Sequence, residues 1–123
     1  MRHIEEKLYI TPNDVAANSD KEAIQAAIQE AVKQDVRRVV IPKENSRTGK
    51  NEWHIDETVY LPDGITLIID GAAVFCDEIA FANEKAFYGK PGKIGDEQKN
   101  IFLIGRNGAC LYGKNQPQIF LHN

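Results

Sequence analysis

The sequence predicts a β-solenoid, a stack of similar β-coils, that begins with one capping α-helix. Three observations support this fold class: a single amphipathic helix near the amino terminus, a series of short β-rich segments after it, and an internal repeat among those segments. A chain of 123 residues has the length of one domain. We therefore expect residues 1–123 to form a single domain with one continuous core.

The capping helix is predicted over residues 20–34. Ser19 and Glu22 have the spacing of a capping box, with Ser19 as the N-cap and Glu22 reaching back from the third helical position. The apolar residues that follow fall on one stripe at helical periodicity: Ile24, Ala27, Ile28, Ala31 and Val32. In a solenoid this stripe covers the first coil, whose apolar side chains and strand edges are otherwise exposed.

Short β-rich segments separated by turn residues follow the helix. We predict strands at residues 36–41, 53–55, 58–61, 65–69, 73–76, 100–104, 109–112 and 119–121. Turns are marked at residues 62–64, which are Pro-Asp-Gly, and at residues 70–71, which are Asp-Gly. Residues 43–52 contain no Val, Ile or Leu, and residues 83–99 contain three glycines and a proline, so both segments are predicted to be loops.

An internal repeat links the later segments. Ile65, Leu67 and Ile68 recur 36 residues later as Ile101, Leu103 and Ile104. Gly71, Ala72, Val74 and Phe75 recur 37 residues later as Gly108, Ala109, Leu111 and Tyr112. Apolar residues that recur in this way are expected to stack into one core in successive coils. A small β-sandwich with one helix is the alternative fold, but it gives no reason for an amphipathic helix ahead of all the strong strands.

Composition and charge exclude several classes of protein. The 15 basic and 18 acidic side chains give a net charge of −3, which is not the basic balance of a nucleic-acid binder. No apolar run approaches the roughly 20 residues that span a bilayer, and residues 1–7 are no signal peptide. We therefore expect no nucleic-acid or membrane partner. The chain as given is expected to be cytoplasmic, or secreted if a leader has been removed.

The cysteines and histidines predict no cofactor or metal site. Cys76 and Cys110 form no Cys-x-x-Cys pair and have no histidine at ligand spacing, so both are expected to be buried free thiols. His3, His54 and His122 are scattered singly, and each is expected at the surface or in a loop.

No residue is predicted to be catalytic. The adjacent carboxylates at residues 56–57, 77–78 and 96–97 point to opposite faces of an extended chain, so no pair converges on one reacting bond. In the loop at 83–99, Tyr88 with Lys85, Lys90 and Lys93 has the chemistry to hold an acidic sugar by stacking and charge. A solvated loop without a ligand explains the same residues.

Several segments resemble, in order, the amino-terminal part of the pectin-lyase-like superfamily of right-handed parallel β-helices, most closely its polygalacturonase-type glycoside hydrolases. The similar segments are residues 23–28, 39–42, 59–67, 71–74 and 100–113. The resemblance implies the capping helix and first coils of a right-handed parallel β-helix. The sequence departs from the family at Tyr112, which stands where the family has the aspartate of an Ile-Asp-Gly strand end.

The resemblance implies that the parent protein acts on a pectic or related polysaccharide. The family's Gly-His-Gly and Arg-x-Lys motifs do not occur in these 123 residues, so this chain is expected to be non-catalytic. The alternative is a non-catalytic carbohydrate-binding or tailspike-like oligomerising module. Residues 119–121 repeat the pattern of residues 101–103 without a polar cap after them, so we expect a truncated chain that self-associates through its open last coil.

Overall fold

A computed structural model of the chain describes residues 8–77, 79–83, 101–113 and 117–118. A 3₁₀ turn at Pro12–Asp14 precedes the helix α1 at Asp20–Lys33. The strands are β1 (Arg38–Ile41), β2 (Glu52–Ile55), β3 (Val59–Leu61), β4 (Thr66–Asp70), β5 (Ala73–Cys76), β6 (Phe81–Asn83), β7 (Phe102–Arg106), β8 (Cys110–Tyr112) and β9 (Pro117–Gln118). Among these residues no helix is long and apolar enough to cross a membrane.

The strands form three sheets that the chain visits in a repeating order. Sheet I contains β1, β4 and β7, sheet II contains β2, β5, β8 and β9, and sheet III contains β3 and β6. We call β1–β3 the first tier, β4–β6 the second and β7–β8 the third. Strands of successive tiers pair in parallel in every sheet. This order confirms a mostly β chain behind one helix and is consistent with β-helix-like stacking.

The strand register accounts for the internal repeat. Asp70 pairs with Arg106, a separation of 36 residues, whereas Ala73 pairs with Cys110, a separation of 37. The extra residue lies in the third-tier turn, where Asn107 and Gly108 have φ of 57° and 82°. The second tier turns between the same two sheets with Gly71 alone at positive φ. The predicted offset and the position of its one-residue change are both confirmed.

Alternating residues of the three sheets point into one core. In β2, Trp53 and Ile55 are buried while His54 between them is exposed. In the other strands, the inward-facing residues form a single cluster of mainly aliphatic side chains: Val39, Ile41, Val59, Leu61, Leu67, Ile69, Val74 and Leu111. Trp53 donates its indole N–H to the carbonyl of Pro42 at 2.8 Å, so its polar group is satisfied inside the core.

Four apolar residues of the repeat lie outside this core: Ile68, Ile104, Phe75 and Tyr112. Phe75 and Tyr112 were expected to stack inside successive coils, but they point to the outer face of sheet II. Their neighbours Val74 and Leu111 point inward instead. A period of two residues assigns only one of two adjacent apolar residues to the core, so this part of the prediction was wrong.

The predicted helix is confirmed within one residue, and its apolar stripe faces the core. Four stripe residues are buried, and Val32 packs against the same cluster while remaining partly exposed. Ser19 Oγ accepts the N–H of Glu22 at 3.2 Å, as an N-cap should. The carboxylate of Glu22 accepts the N–H of Asn18, not that of Ser19, so the second bond of the capping box is displaced by one residue.

Three pairings were not predicted from the sequence. Ile10 forms a parallel bridge with Val39, and β6 pairs with β3 although it has only three residues. β9 pairs antiparallel with β8, with Tyr112 opposite Pro117. This part of the sheet II edge is therefore paired, while the predicted strand at 119–121, which the expected open last coil includes, lies outside the described residues.

Candidate functional site

The outer edge of the first tier is hydrogen-bonded along all three of its strands. On β1, Ile10 donates its N–H to the carbonyl of Arg38 at 2.9 Å and accepts the N–H of Val40 at 2.9 Å. On β2, the carboxylate of Asp20 accepts the N–H of His54 at 2.8 Å.

On β3, the side-chain amide of Gln25 makes two bonds to the backbone of Tyr60. Its nitrogen donates to the Tyr60 carbonyl at 2.9 Å, and its oxygen accepts the Tyr60 N–H at 2.9 Å. A carboxylate and an amide from α1 thus take the place that a further parallel strand would have on β2 and β3. A strand edge whose backbone groups are hydrogen-bonded in this way offers fewer free N–H and C=O groups for pairing with another chain.

Asp20 is the charged centre of this edge. Its side chain is 3% exposed and accepts hydrogen bonds from Arg47 at 2.6 Å and from the Asn45 amide at 2.9 Å, besides the His54 N–H. Burial by itself raises the pKa of Asp20, but these three hydrogen bonds and the charge of Arg47 outweigh burial and hold the pKa below its usual 3.8. Asp20 is therefore ionised at neutral pH and fixes the loop at 43–51 to the start of α1.

Asn45 connects the same loop to β2. Its side chain is fully buried and also donates to the carbonyl of Glu52 at 3.2 Å, while its Oδ1 accepts the N–H of Arg47 at 3.1 Å. Its backbone N–H bonds the carbonyl of Lys50 at 2.8 Å. The polar groups of this buried residue are thus paired, as burial requires.

A row of aromatic rings runs across the outer face of sheet II. His54, Phe75 and Tyr112 occupy the same register position in β2, β5 and β8. The ring centroids of His54 and Phe75 are 5.1 Å apart and those of Phe75 and Tyr112 are 5.0 Å apart, with interplanar angles of 16° and 17°. Phe75 therefore has a neighbouring ring on each face, whereas His54 and Tyr112 each stack on one ring of the row.

Two open clefts border this row. The lower cleft, of about 210 Å³, is lined by His54, Ile55, Asp56, Phe75, Cys76, Asp77, Tyr112 and Gly113. The upper cleft, of about 280 Å³, lies between the start of α1 and the loop at 43–51 and includes Arg47 and Lys50. His54 and Asp56 line both clefts, so the two lie side by side. We call the lower cleft together with its aromatic row the outer groove.

Two carboxylates lie at equivalent positions along the outer groove. Ile55 pairs with Cys76, and Asp56 and Asp77 follow these two residues directly. Their backbones are therefore one tier apart, about 4.8 Å in a paired sheet. Both residues are exposed, and neither carboxylate has a hydrogen-bond or ion-pair partner in the described part of the chain. Among the residues that the structure describes, no lysine or arginine lines the lower cleft.

The two cysteines differ in their surroundings. Cys76 is buried and donates from its sulfur to the carbonyl of Tyr112 at 3.4 Å. Burial, and then the charge of Asp77, raises the pKa of the Cys76 thiol. Cys110 is half-buried because it lies on the outer face of sheet II beside Tyr112. The expectation of a buried free thiol is confirmed for Cys76 and wrong for Cys110.

The other residues singled out in the sequence lie at the surface or outside the described residues. His54 is exposed, as expected, although it lies on a strand. Outside the description fall His3, His122, the dipeptide 96–97 and the aromatic and lysine side chains of the loop at 83–99. Within residues 8–77, 79–83, 101–113 and 117–118, no group of three or more His, Cys, Asp or Glu side chains is placed to hold a metal ion.

Sequence reasoning missed the outer groove because its members are unevenly spaced. His54 and Phe75 are 21 residues apart, whereas Phe75 and Tyr112 are 37 apart. The repeat did contain the Phe75–Tyr112 match, and the strict alternation of β5 was the signal that placed both residues outside. Comparison of the chain with protein-family models, curated proteins and solved structures finds no match.

Proposed function

We propose that the described tiers are the capped first coils of a right-handed parallel β-helix and that they form a non-catalytic, polysaccharide-binding part of their protein. Support for the fold comes from the parallel pairing of successive tiers and from the hydrogen bonds that α1 makes to the first tier. The sequence resemblance to polygalacturonase-type β-helices points the same way.

The observation that carries polysaccharide binding is the outer groove. It runs from tier to tier along sheet II, and each tier adds an aromatic ring at the same register position. A linear polymer suits such a surface because its units recur along one direction, as the tiers do. Clefts with apolar walls and a few polar groups are the usual form of a ligand site.

The same groove lacks what hydrolysis requires. A glycosidase needs two carboxyl groups that are held in place and whose environments differ, so that one acts as an acid and the other as a base or nucleophile. Asp56 and Asp77 are both exposed, and the structure describes no group that holds either carboxylate. We therefore propose binding without cleavage for the coils described here.

Affinity electrophoresis and a reducing-sugar assay test this function together. The chain is run through gels that contain dissolved polysaccharides, with polygalacturonate first because of the resemblance, and the same polymers are incubated with the protein. We expect retardation by at least one polysaccharide and no release of reducing ends. The variant Tyr112→Ala removes a ring that is 40% exposed in the groove and should weaken retardation about tenfold.

Tyr9→Ala is the matched control because Tyr9 is also exposed but lies outside the groove. It should bind like the parent chain. An equal loss of retardation in the two variants, or no retardation of the parent chain by any polysaccharide, would contradict binding in the groove. Release of reducing ends that disappears in Asp56→Asn would show that the chain is catalytic after all.

A further inference from the structure

We propose that the outer groove prefers a polysaccharide with free amino groups over a uronate polymer. The inference rests on the proposed polysaccharide binding and names the class of polymer. It departs from the sequence resemblance, which points to pectic chains rich in galacturonate. The reason lies in the charges that line the lower cleft.

In the described part of the chain, the lower cleft is lined by carboxylates and by no lysine or arginine. Asp56 and Asp77 line it, and its other lining residues are apolar or aromatic apart from His54. Among the described residues, Arg47 and Lys50 line the upper cleft, and Arg47 is bonded to Asp20 at 2.6 Å. A uronate chain in the lower cleft would therefore place its carboxylates beside Asp56 and Asp77 with no lysine or arginine among the described lining residues. Protonated amino groups would instead meet two carboxylates that have no partner in the described part of the chain.

The aromatic row does not offset this charge preference. A sugar gains most from an aromatic residue when it lies against the ring face, but the faces of Phe75 are covered by His54 on one side and Tyr112 on the other. The ring edges give the groove an apolar wall that accepts any sugar. The charges along the groove therefore determine which polymer binds more tightly.

The spacing of the carboxylates suits a polymer that lies along the stack. Asp56 and Asp77 repeat with the tiers, about 4.8 Å apart at the backbone. A chain that carries one amino group on every sugar presents positive charges along the same direction. A ligand with a single amino group can engage only part of this row, so a polymer is expected to bind more tightly than its monomer.

Isothermal titration calorimetry with three matched hexamers tests the inference: β-1,4-linked glucosamine, its N-acetylated form, and galacturonate. The titrations are done at pH 5.5 in low salt, where the glucosamine amino groups are protonated. We expect the glucosamine hexamer to bind at least tenfold more tightly than the galacturonate hexamer. The double variant Asp56→Asn/Asp77→Asn should lose this tenfold preference.

The control variant is Asp35→Asn, which removes an exposed carboxylate outside the groove at a position whose positive φ of 58° asparagine tolerates. It should keep the parent's preference. Tighter binding of the galacturonate or N-acetylated hexamer by the parent would overturn the amino-group preference and leave polysaccharide binding intact. Failure of all three hexamers, together with the polysaccharides of the gel assay, would overturn both proposals.

Discussion

Asp20 shows how a single residue fixes several parts of the chain. As the first residue of α1 it lies where a negative charge interacts favourably with the helix dipole. It also bonds the loop at 43–51 through Asn45 and Arg47, and the edge of β2 through His54. The favourable charge at a helix start is visible in the sequence, but the other three contacts come from residues 25 to 34 positions away.

Asp20→Asn should destabilise the fold by about 2–3 kcal/mol. The change leaves Arg47 without its anion and turns one acceptor into a donor that faces other donors. This expected loss of stability is no larger than the loss on breaking a fully buried ion pair. The Arg47 side chain is 39% exposed, so solvent screens its interaction with Asp20. Urea unfolding at pH 7 measures the loss. Glu57→Gln, which breaks an exposed pair with Lys21, should change stability by less than about 0.5 kcal/mol.

The lowered pKa of Asp20 also predicts a pH dependence. Because the folded chain holds this carboxylate ionised below its usual pKa of 3.8, the stabilisation is present above about pH 4 and is lost as the pH falls through the folded value. The stability gap between the parent and Asp20→Asn should therefore narrow between pH 5 and pH 2. Urea midpoints of the parent and of Asp20→Asn, measured at a series of pH values, show how this difference in stability changes. A gap that stays constant to pH 2 would mean that the charge of Asp20 contributes nothing.

At the scale of elements, α1 acts as the cover of the first tier in two ways. Its apolar stripe closes the core, and its polar residues Asp20 and Gln25 bond the backbone of β2 and β3. The sequence predicted the stripe, but nothing in it singled out Gln25. Amphipathic periodicity separates apolar from polar positions and does not tell which polar side chain meets a strand edge.

Gln25→Ala and Gln29→Ala form a matched pair that tests this second role. Both replace glutamine by the best helix former in the same helix, but only Gln25 bonds Tyr60, while Gln29 is exposed. Gln25→Ala should cost about 1–2 kcal/mol because it leaves a backbone N–H and a carbonyl of β3 without their partner. Gln29→Ala should be neutral within about 0.5 kcal/mol. Thermal melts of both variants compare them, and equal melting temperatures would show that the edge bonds of Gln25 do not stabilise the fold.

At the scale of the whole molecule, one core connects the tiers. The buried cluster includes Ile28 of α1, Val59 of the first tier, Val74 of the second and Leu111 of the third. A cluster shared in this way links the helix to every tier, so the described part of the chain is expected to unfold as a unit.

Trp53 provides the test of this cooperativity. It is the single tryptophan of the chain, it is 1% exposed, and it lies in the first tier. Its fluorescence therefore reports the first tier, while far-ultraviolet circular dichroism reports all strands and α1. The urea transitions followed by the two signals should coincide. A fluorescence midpoint that differs from the dichroism midpoint by more than the fitting error would show that the tiers unfold separately.

The sequence by itself determined the elements and their order. The helix start at Ser19, the strand at residues 73–76 and the change of offset from 36 to 37 were predicted because each depends on local signals: a cap, alternation, and turn residues between repeats. These signals act within a few residues, so one chain is enough to reveal them. The strand β6 was missed because three residues ending in Asn83 carry too little alternation.

The tertiary structure alone decided which polar groups meet and where the outer groove lies. His54 comes to stack on Phe75, and Asp56 comes to lie one tier from Asp77, because the register of β2 on β5 follows from the lengths of the connections between them. In the first tier the connection from sheet I to sheet II is the loop at 43–51, whereas in the second tier it is a turn at Gly71. Because the connections differ in length, residues that contact each other between tiers have no fixed spacing in the sequence. These contacts can therefore be identified only from the pairing of the strands.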